Sequence, residues 1–248
     1  MAKASVSGHV KTRMVPPLTF DEAAAFNTAF LKDVAANVLA AAERDDIAGY
    51  MAFGPPGPDS SAFFEQILPS DIGLLEAWHP TLGECLHSTI EQLLARGHGS
   101  AVVLNSDSPT MPTSFLVETA RLLARPGDHA VVGPSTDGGY NLLGLKRAHR
   151  RLFEDIAWST AQVGRQTLER AAEIGLSVHL LPAWYDVDDG ASLRTLYAEL
   201  CEHAAFSVSL HPHQAAHSAR LLRSLVADAG LAGRLAADVS DPAARAAE

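Results

Sequence analysis

One apolar segment of the sequence ends in a carboxylate that could hold a metal. The run Ala101-Val-Val-Leu-Asn-Ser-Asp107-Ser-Pro109 is typical of a buried strand that is followed by a proline and a helix. Ligands of open α/β sheets bind outside the carboxyl ends of the strands, so Asp107 is expected to face such a crevice. Hard cations such as Mg²⁺ or Mn²⁺ prefer carboxylate oxygens. The alternative role, capping a helix near Thr113, is disfavoured because Pro109 and Pro112 intervene.

A basic segment near the N-terminus could bind the phosphates of a nucleotide. It comprises Lys3, Gly8, Lys11, Thr12 and Arg13 in an otherwise acidic chain. Glycine lets the backbone approach a phosphate closely, lysine supplies a point charge and arginine a planar fork. The segment lacks the spacing of a Walker motif, and basic residues near a terminus are often simply solvated, so that alternative stays open.

The segment Asp137-Gly138-Gly139 lies between two apolar runs. Asp-Gly is among the best short signals for a hairpin turn, and a turn is the favoured interpretation. A glycine-lined turn at the end of a strand could also admit a substrate.

The segment Trp184-Tyr-Asp186-Val-Asp188-Asp189 follows a predicted strand and precedes a predicted helix. Asp188 or Asp189 could cap that helix. Equally, Asp188 could converge with Asp107 on one metal ion, and the sequence does not decide between the two roles.

Short runs of Val, Ile and Leu alternate with helical patterns along the chain, which predicts an α/β fold with a mostly parallel sheet. The predicted strands are Ile47 to Phe53, Ser100 to Asn105, His129 to Gly133, Tyr140 to Leu145 and Ser177 to Leu181. The predicted helices are Thr19 to Glu43, Leu82 to Arg96, Thr113 to Leu123 and Ser159 to Ile174, the first and last opened by capping boxes. Residues 54–61 are rich in Pro and Gly and predict a surface loop.

The C-terminal part of the chain is rich in alanine and predicts one or two helices. We therefore divide the chain into a catalytic domain of residues 1–205 and a helical extension of residues 206–248. His211, His213 and His217 could ligate a metal, but no carboxylate or cysteine accompanies them, and a solvated helix start is preferred. The extension is assigned to packing or to contacts in a homo-oligomer.

The composition narrows the class of protein. A hydrophobic fraction of 47% with 19% charged residues predicts a globular chain, and the net charge of −10 disfavours nucleic acid as a partner. Cys85 and Cys201 are far apart, so neither a disulfide framework nor a zinc site is indicated. The sequence has no membrane-length apolar run and no signal peptide pattern, which predicts a cytoplasmic protein without a membrane partner.

Five ordered motifs between about Ala2 and Leu200 resemble one protein family. They are A-K-x-x-x-x-G-x-x-K-T-R-M-x-P-P-L, S-D-S-P, G-P-x-x-D-G-G-Y, W-S-T and D-V-D. Together they resemble the glycosyltransferase-A-like family known as radical-SAM/selenodomain-associated transferases, of the nucleotide-diphospho-sugar transferase superfamily. The Lys11 to Met14 segment and the strand-end aspartate are also similar, more distantly, to those of phospholactate guanylyltransferases.

The resemblance implies a nucleotide-diphospho-sugar transferase fold and a transferase that uses Mg²⁺ or Mn²⁺. It implies that Asp107 is the metal aspartate and Asp188 the second ligand, with Lys11 and Arg13 holding the leaving pyrophosphate. The implied reaction is nucleotidyl transfer from a nucleoside triphosphate to a small phosphate or phosphonate acceptor. Glycosyl transfer from a nucleotide sugar is the alternative, and a nucleotide-binding protein without turnover is the third possibility.

Taken together, the motifs define four sets of candidate residues. The catalytic candidates are Asp107, Lys11 and Arg13, and the metal candidates are Asp107 and Asp188. The nucleotide-binding candidates are Lys3, Gly8, Lys11, Thr12, Arg13 and Ser106. The substrate-binding candidates are Asp137, Gly138, Gly139, Tyr140, Asn141, Trp158, Ser159 and Thr160.

Two positions depart from the family that the motifs resemble. Relatives have an apolar strand before the segment that corresponds to Ala2 and Lys3, so either that strand is absent here or the start is truncated. Cys85 stands where relatives carry an arginine, and substrate choice is expected to differ if that arginine contacts substrate.

Overall fold

The computed structural model describes residues 2–239, which form six strands and eight α-helices. The strands are β1 (Tyr50–Phe53), β2 (Gly73–Glu76), β3 (Ala101–Leu104), β4 (His129–Pro134), β5 (Tyr140–Leu145) and β6 (Ser177–Leu180). The helices are α1 (Phe20–Ala42), α2 (Pro58–Ile67), α3 (Leu82–Ala95), α4 (Thr113–Leu123), α5 (Val163–Glu173), α6 (Gly190–Cys201), α7 (Ala216–Ala229) and α8 (Leu231–Val239). Two 3-10 helices cover Thr12–Met14 and Arg150–Phe153.

The strands form two sheets. Four of them have the order β3-β5-β4-β6, in which β5 runs antiparallel to both neighbours and the other three strands share one direction. The remaining two strands, β1 and β2, pair in parallel, and Ala2 adds a parallel bridge to Phe53. The predicted α/β class with mostly parallel strands is confirmed.

The predicted hairpin at Asp137-Gly138-Gly139 is confirmed, because β4 and β5 pair in antiparallel fashion on either side of it. Gly138 has a φ of 93°, which side chains rarely adopt. A Cβ atom there would also lie 2.3 Å from the carbonyl oxygen of Ala161. Position 138 therefore requires glycine for both its backbone conformation and its close packing.

The core lies on both faces of the four-stranded sheet, as the alternation of β3 shows. Ala101 and Val103 belong to a cluster with Leu86 and Ile90 of α3. The intervening side chains pack with α1 and α4 on the opposite face. Because successive side chains of a strand point to opposite faces, a short apolar run such as β3 serves both layers.

Helix starts were predicted with mixed success. The capping box that was predicted for Thr19 and Glu22 is confirmed at the start of α1. The one expected at Ser159 and Gln162 is wrong: Ser159 has a φ of 63°, outside the extended region that a capping residue adopts, and α5 begins only at Val163.

The predicted surface loop of residues 54–61 is also partly wrong. Helix α2 begins within it, with Pro58 in the first turn, where the missing N–H of proline costs nothing. A proline-rich segment can therefore contain both a loop and the first turn of a helix.

The C-terminal extension packs onto the rest of the chain. Helix α7 lies against α1, where the fully buried carboxylate of Asp33 accepts hydrogen bonds from the backbone N–H groups of His217 and Ser218 and from the Ser218 hydroxyl. Leu222 and Leu231 of the extension join the same core as α1. The predicted packing role is visible, while the boundary at residue 205 and the oligomer contact stay predictions. Among the described residues no helix is both long and apolar enough to span a bilayer.

Candidate functional site

One lysine joins the two aspartates that the sequence singled out. The Nζ of Lys11 lies 2.6 Å from Oδ1 of Asp107 and 2.8 Å from Oδ1 of Asp188. It also donates to the carbonyl oxygen of Val187 at 2.9 Å, and Arg13 binds the second oxygen of Asp188. Residues from three distant parts of the chain thus meet at one point.

Asp107 is positioned by the loop that leaves β3. Its own carbonyl oxygen accepts a hydrogen bond from the backbone N–H of Val187 at 2.8 Å. One residue later, the Ser108 hydroxyl donates to the carbonyl oxygen of Tyr185 at 2.9 Å, and both groups are buried. These bonds tie the end of β3 to the segment before α6, so the two carboxylates are held on one rigid support.

The structure separates the two roles that the sequence left open for Asp188 and Asp189. Asp189 caps α6, forming a capping box with Ser192 at 2.8 Å. Burial tends to raise the pKa of Asp189, but the hydrogen bonds from Ser192 outweigh it and hold that pKa below its usual value. Asp188 is left with its carboxylate directed at Lys11 and Arg13 rather than at the helix.

Lys11 is a buried cation in a left-handed backbone conformation, with a φ of 51° and a side chain only 7% exposed. Burial alone would lower its pKa, but attraction to Asp107 and Asp188, together with their hydrogen bonds, raises the pKa above its usual value. Its ammonium also lies 5.5 Å from the ring centroid of Phe30. The two carboxylates therefore already hold one positive charge between them.

The donor set around Lys11 suits a divalent cation of the magnesium type. Mg²⁺ is commonly bound by one or two carboxylates and completes its shell with water and substrate phosphates. Within residues 2–239, no three His, Cys, Asp or Glu side chains form a metal-binding group. Asp107 and Asp188 alone fit such a cation, provided that the Lys11 ammonium withdraws from between them.

Asp186, which the sequence analysis did not single out as a site residue, lies beside this cluster. Its Oδ1 accepts a hydrogen bond from the hydroxyl of Ser135 at 2.9 Å. Burial, and after it the nearby charges of Asp137 and Asp188, raise the pKa of Asp186 to about 6. Asp186 is the first aspartate of the D-V-D motif, so the sequence contained a signal for it. The sequence could not show which aspartate of that motif faces the site.

The Asp137-Gly138-Gly139 turn packs against the segment that carries Trp158 to Thr160. The N–H of Gly164 donates to the carbonyl oxygen of Gly138 at 2.9 Å. The Asp137 carboxylate accepts from the N–H of Gly139, and Thr160 closes a local turn onto residue 157. Ser159, in its left-handed conformation, belongs to this turn.

Trp158 packs closely against the start of α3. Its Nε1 would lie 3.0 Å from a Cβ built on Gly83. Trp158 therefore lies against α3, while its contact with a substrate stays a prediction.

Tyr140 and Asn141 lie behind the turn rather than on its surface. Asn141 is 1% exposed, donates from Nδ2 to the carbonyl oxygen of Trp184 at 2.9 Å and accepts from Asn105 at its Oδ1. Burial raises the pKa of the Tyr140 hydroxyl, which has no hydrogen-bond partner in the described part of the chain. Asn141 therefore joins β5 to the Asp186 segment, and a direct contact with substrate stays a prediction for both residues.

Two of the predicted nucleotide-binding residues, Ser106 and Lys3, lie in different places. The Ser106 hydroxyl contacts Asp107 at 3.1 Å, next to Lys11. Lys3 is instead found by Trp78, with its Nζ 6.0 Å from the ring centroid. Trp78 follows β2, is 46% exposed and was not identified from the sequence, because a lone tryptophan carries no motif.

Gly8 and Thr12 lie on either side of Lys11 along the chain. Gly8 has a φ of 76°, and nothing lies within 4 Å of where its Cβ would be. Thr12 begins the 3-10 helix that follows Lys11. Gly8 is therefore unobstructed at its Cα, while nucleotide binding by Gly8 and Thr12 stays a prediction.

Comparison with known proteins gives a family and a fold. Residues 37–160 match the family described as "Uncharacterized protein conserved in bacteria (DUF2064)". This region includes Asp107 and Asp137 and excludes Lys11 and Asp188. No curated protein is significantly similar to the chain.

A crystal structure from Desulfovibrio desulfuricans G20 is similar over almost the whole chain. That protein is described as a "putative nucleotide-diphospho-sugar transferase"; it is 25% identical, and the match has a TM-score of 0.77 over 91% of this chain and 93% of that one. The predicted nucleotide-diphospho-sugar transferase fold is confirmed. The radical-SAM/selenodomain label and the likeness to phospholactate guanylyltransferases stay predictions.

Proposed function

The chain belongs to the DUF2064 family, and from that premise we propose that it is a nucleotide-dependent transferase acting on a small acceptor. The observation that carries the proposal is the meeting of Lys11, Asp107 and Asp188 at the carboxyl end of β3. Ligands of α/β sheets bind at that edge, and cations beside paired carboxylates suit a phosphate-bearing donor.

Nucleotidyl transfer is the reaction that we favour. An oxyanion of a phosphate or phosphonate acceptor attacks the α-phosphorus of a nucleoside triphosphate, forming an O–P bond. The bond from the α-phosphorus to the bridging oxygen breaks, and pyrophosphate leaves with that electron pair. Such chemistry depends on positioning and charge neutralisation, so no protein nucleophile is required.

Lys11 and Arg13 are the residues proposed to receive the departing pyrophosphate. They come from one short segment, and both contact Asp188. A polyphosphate that enters beside Arg13, whose side chain is 70% exposed, would compete with Asp188 for both cations. That exchange would free the carboxylates as the negatively charged donor arrives.

Asp107 and Asp188 are the residues that would hold Mg²⁺ or Mn²⁺. When bound, such an ion supplies positive charge to the phosphate oxygens of the donor. The withdrawal of Lys11 towards the phosphates is what this arrangement requires of the chain itself.

Glycosyl transfer is the second candidate, and two observations favour it. The similar protein from Desulfovibrio desulfuricans is described as a transferase of the nucleotide-diphospho-sugar class. Asp186, held by Ser135, also offers a carboxylate to accept the proton of an acceptor hydroxyl. In that reaction the acceptor oxygen bonds to the anomeric carbon, the bond to the diphosphate breaks, and a nucleoside diphosphate leaves.

The experiment incubates the protein with Mg²⁺ or Mn²⁺, a mixture of small phosphate and hydroxyl acceptors, and either each nucleoside triphosphate or each common nucleotide sugar. Pyrophosphate release supports nucleotidyl transfer, and release of a nucleoside diphosphate from a sugar donor supports glycosyl transfer. Binding of a nucleotide without release of either product would indicate a binding protein. Asp107→Asn, which keeps the shape but loses the charge, is expected to remove turnover in both reactions.

The matched control is Asp189→Asn, since that neighbouring carboxylate caps α6 and does not contact Lys11. We expect it to retain most of the turnover. Loss of turnover in Asp189→Asn with retention in Asp107→Asn would contradict the proposed site.

A further inference from the structure

An exposed tryptophan lies at the carboxyl end of β2. Trp78 is 46% exposed, although tryptophan is highly buried on average. The backbone N–H of Ala77, one residue before it, donates to the carbonyl oxygen of Phe53 at the end of β1. Trp78 therefore lies at the carboxyl edge of the parallel pair β1 and β2, and the carboxyl edge is where ligands of α/β sheets bind.

The ring of Trp78 rests against the backbone that leaves β1. A Cβ atom built on Gly54 would lie 2.3 Å from Cε3 and 2.9 Å from Cδ2 of the ring, so the contact depends on glycine at that position. Gly54 is itself fixed, because its N–H donates to the carbonyl oxygen of Ala2 at 3.1 Å. A tryptophan side chain has only two rotatable bonds, so a ring on such a support offers a flat contact surface at little cost in entropy.

A lysine ammonium lies over the same ring. The Nζ of Lys3 is 6.0 Å from the ring centroid of Trp78, at the outer limit of a cation–π contact. The side chain of Lys3 is exposed, and within residues 2–239 it forms no ion pair with a carboxylate. Proteins that bind nucleotides combine aromatic rings, on which bases stack, with cations that attract phosphates. Trp78 and Lys3 together therefore suit a ligand that has both a flat ring and negative charge.

Helix α1 connects this ring to the proposed phosphate site. The carbonyl oxygen of Lys3 accepts a hydrogen bond from Nδ2 of Asn27 at 3.3 Å. Three residues further along α1, the ring centroid of Phe30 lies 5.5 Å from the Lys11 ammonium. Residues three apart on a helix are neighbours on one face, with Cβ atoms about 5–6 Å apart. Lys3 and Lys11 thus approach the same face of α1 one turn apart, and a nucleotide whose phosphates reach Lys11 would extend its base along α1 towards Trp78.

We propose that the ring of Trp78 stacks against the base of the donor nucleotide whose phosphates bind at Lys11 and Arg13. The inference rests on the proposed transferase function and assigns the part of that site that holds the base. Stacking requires only the π-face that every nucleobase has, so Trp78 supplies affinity for a nucleotide without selecting its base. Lys3 would move off the ring face as the base arrives, and its N–H donors would face acceptor atoms of the base or ribose.

A second copy of this chain is the other class of partner that an exposed tryptophan can indicate, since tryptophan is enriched at protein interfaces. The charge beside the ring favours the nucleotide. Lysine is depleted at protein interfaces, whereas the Lys3 ammonium is suited to an anionic ligand. Self-association through Trp78 is therefore an outcome that the experiment has to distinguish.

The experiment measures dissociation constants by isothermal titration calorimetry on the full chain with Mg²⁺. The ligands are each common nucleoside triphosphate and inorganic tripolyphosphate, which has the phosphates but no base. Trp78→Ala removes the ring, and Trp78→Phe keeps a smaller one. Ile174→Ala is the matched control, because Ile174 is apolar and 40% exposed but lies before the amino end of β6. Thermal unfolding and size-exclusion chromatography show whether each variant folds and whether its oligomeric state changes.

We expect Trp78→Ala to raise the dissociation constants of the nucleoside triphosphates roughly tenfold and to leave that of tripolyphosphate unchanged. Trp78→Phe should keep most of the nucleotide affinity, and Ile174→Ala all of it. Unchanged nucleotide affinity in Trp78→Ala, an equal loss for tripolyphosphate, or loss of a wild-type dimer without loss of nucleotide affinity would overturn the inference and leave the phosphate site in place.

Failure of the proposed function gives a different result. If the wild type binds nucleotides but not tripolyphosphate, and Trp78→Ala weakens nucleotide binding, the stacking role of Trp78 is supported and the phosphate site at Lys11 and Arg13 is contradicted. A wild type that binds neither kind of ligand would overturn both.

Discussion

Replacing Lys11 by methionine tests the central contact of the site. Lys11→Met keeps an unbranched side chain but leaves Asp107 and Asp188 facing each other without the ammonium between them. Breaking a buried ion pair by removing one partner costs about 3–5 kcal/mol. The two carboxylates are 27% and 29% exposed, so water screens part of their repulsion, and we expect a loss of about 2 kcal/mol.

That loss corresponds to a fall in melting temperature of about 4–8 °C for a chain of this size. Mg²⁺ should reverse it, because a divalent cation can occupy the place that the ammonium vacates. At one hundred times its dissociation constant, an ion that binds only the folded chain adds about 2.7 kcal/mol. The Mg²⁺-dependent rise in melting temperature should therefore be larger in Lys11→Met than in the wild type.

The assay is thermal unfolding with increasing MgCl₂, matched at each point by NaCl of equal ionic strength. Lys146→Met is the control, since Lys146 follows β5 at the opposite end of the sheet and donates only to the carbonyl oxygen of Arg125 among the bonds described. If Lys11→Met unfolds at the wild-type temperature, or gains no more from Mg²⁺ than Lys146→Met does, the paired-carboxylate site is refuted.

Three further changes test the surroundings of the site. Asp186→Asn should be more stable than wild type at pH 7.5 but not at pH 4.5. Because the pKa of Asp186 is raised in the folded state, wild-type stability falls as pH rises from 3.8 to about 6, by about 1–2 kcal/mol after solvent screening. Equal differences between the urea midpoints of the two proteins at both pH values would contradict this. Asp189→Ala should cost about 1 kcal/mol in urea unfolding as a lost helix cap and leave nucleotide affinity unchanged, so a large loss of affinity would show a direct role. Asp33→Ala should lower the free energy of unfolding by about 2–3 kcal/mol and should speed amide exchange more in α7 than in β4. An equal increase in exchange in both elements would show that Asp33 does not hold α7 locally.

The sequence predicted β3, β4 and β5 of the larger sheet closely, because those strands are largely apolar and are bounded by glycine or polar residues. Tyr140 to Leu145 and Thr113 to Leu123 match the observed β5 and α4 to the residue. The strand β2 was missed, since Gly73–Glu76 is only four residues long and half-exposed, which gives neither a long apolar run nor a clear alternation.

The contacts of the site were less predictable than its residues. Asp107 could be chosen from the sequence because it ends an apolar run. The contact between Lys11 and Asp188 could not, since these residues are separated by most of the chain and only the fold brings them together. The roles of Asp188 and Asp189 depend on which of two adjacent carboxylates points back to the helix, and backbone geometry decides that.

The C-terminal extension has a mechanical consequence for the site. The backbone N–H of His213 donates to the carbonyl oxygen of Thr110 at 3.0 Å, and its ring lies 3.2 Å from the carbonyl oxygen of Pro109. The extension thus braces, from behind, the loop that leaves Asp107. Proteolytic clipping ahead of His213 would remove this brace without altering any residue that faces the proposed donor. Substitutions confined to the carboxylates would not reveal that the loop after Asp107 depends on His213. Shortened forms of the protein that lack His213 would have a less constrained loop at that place.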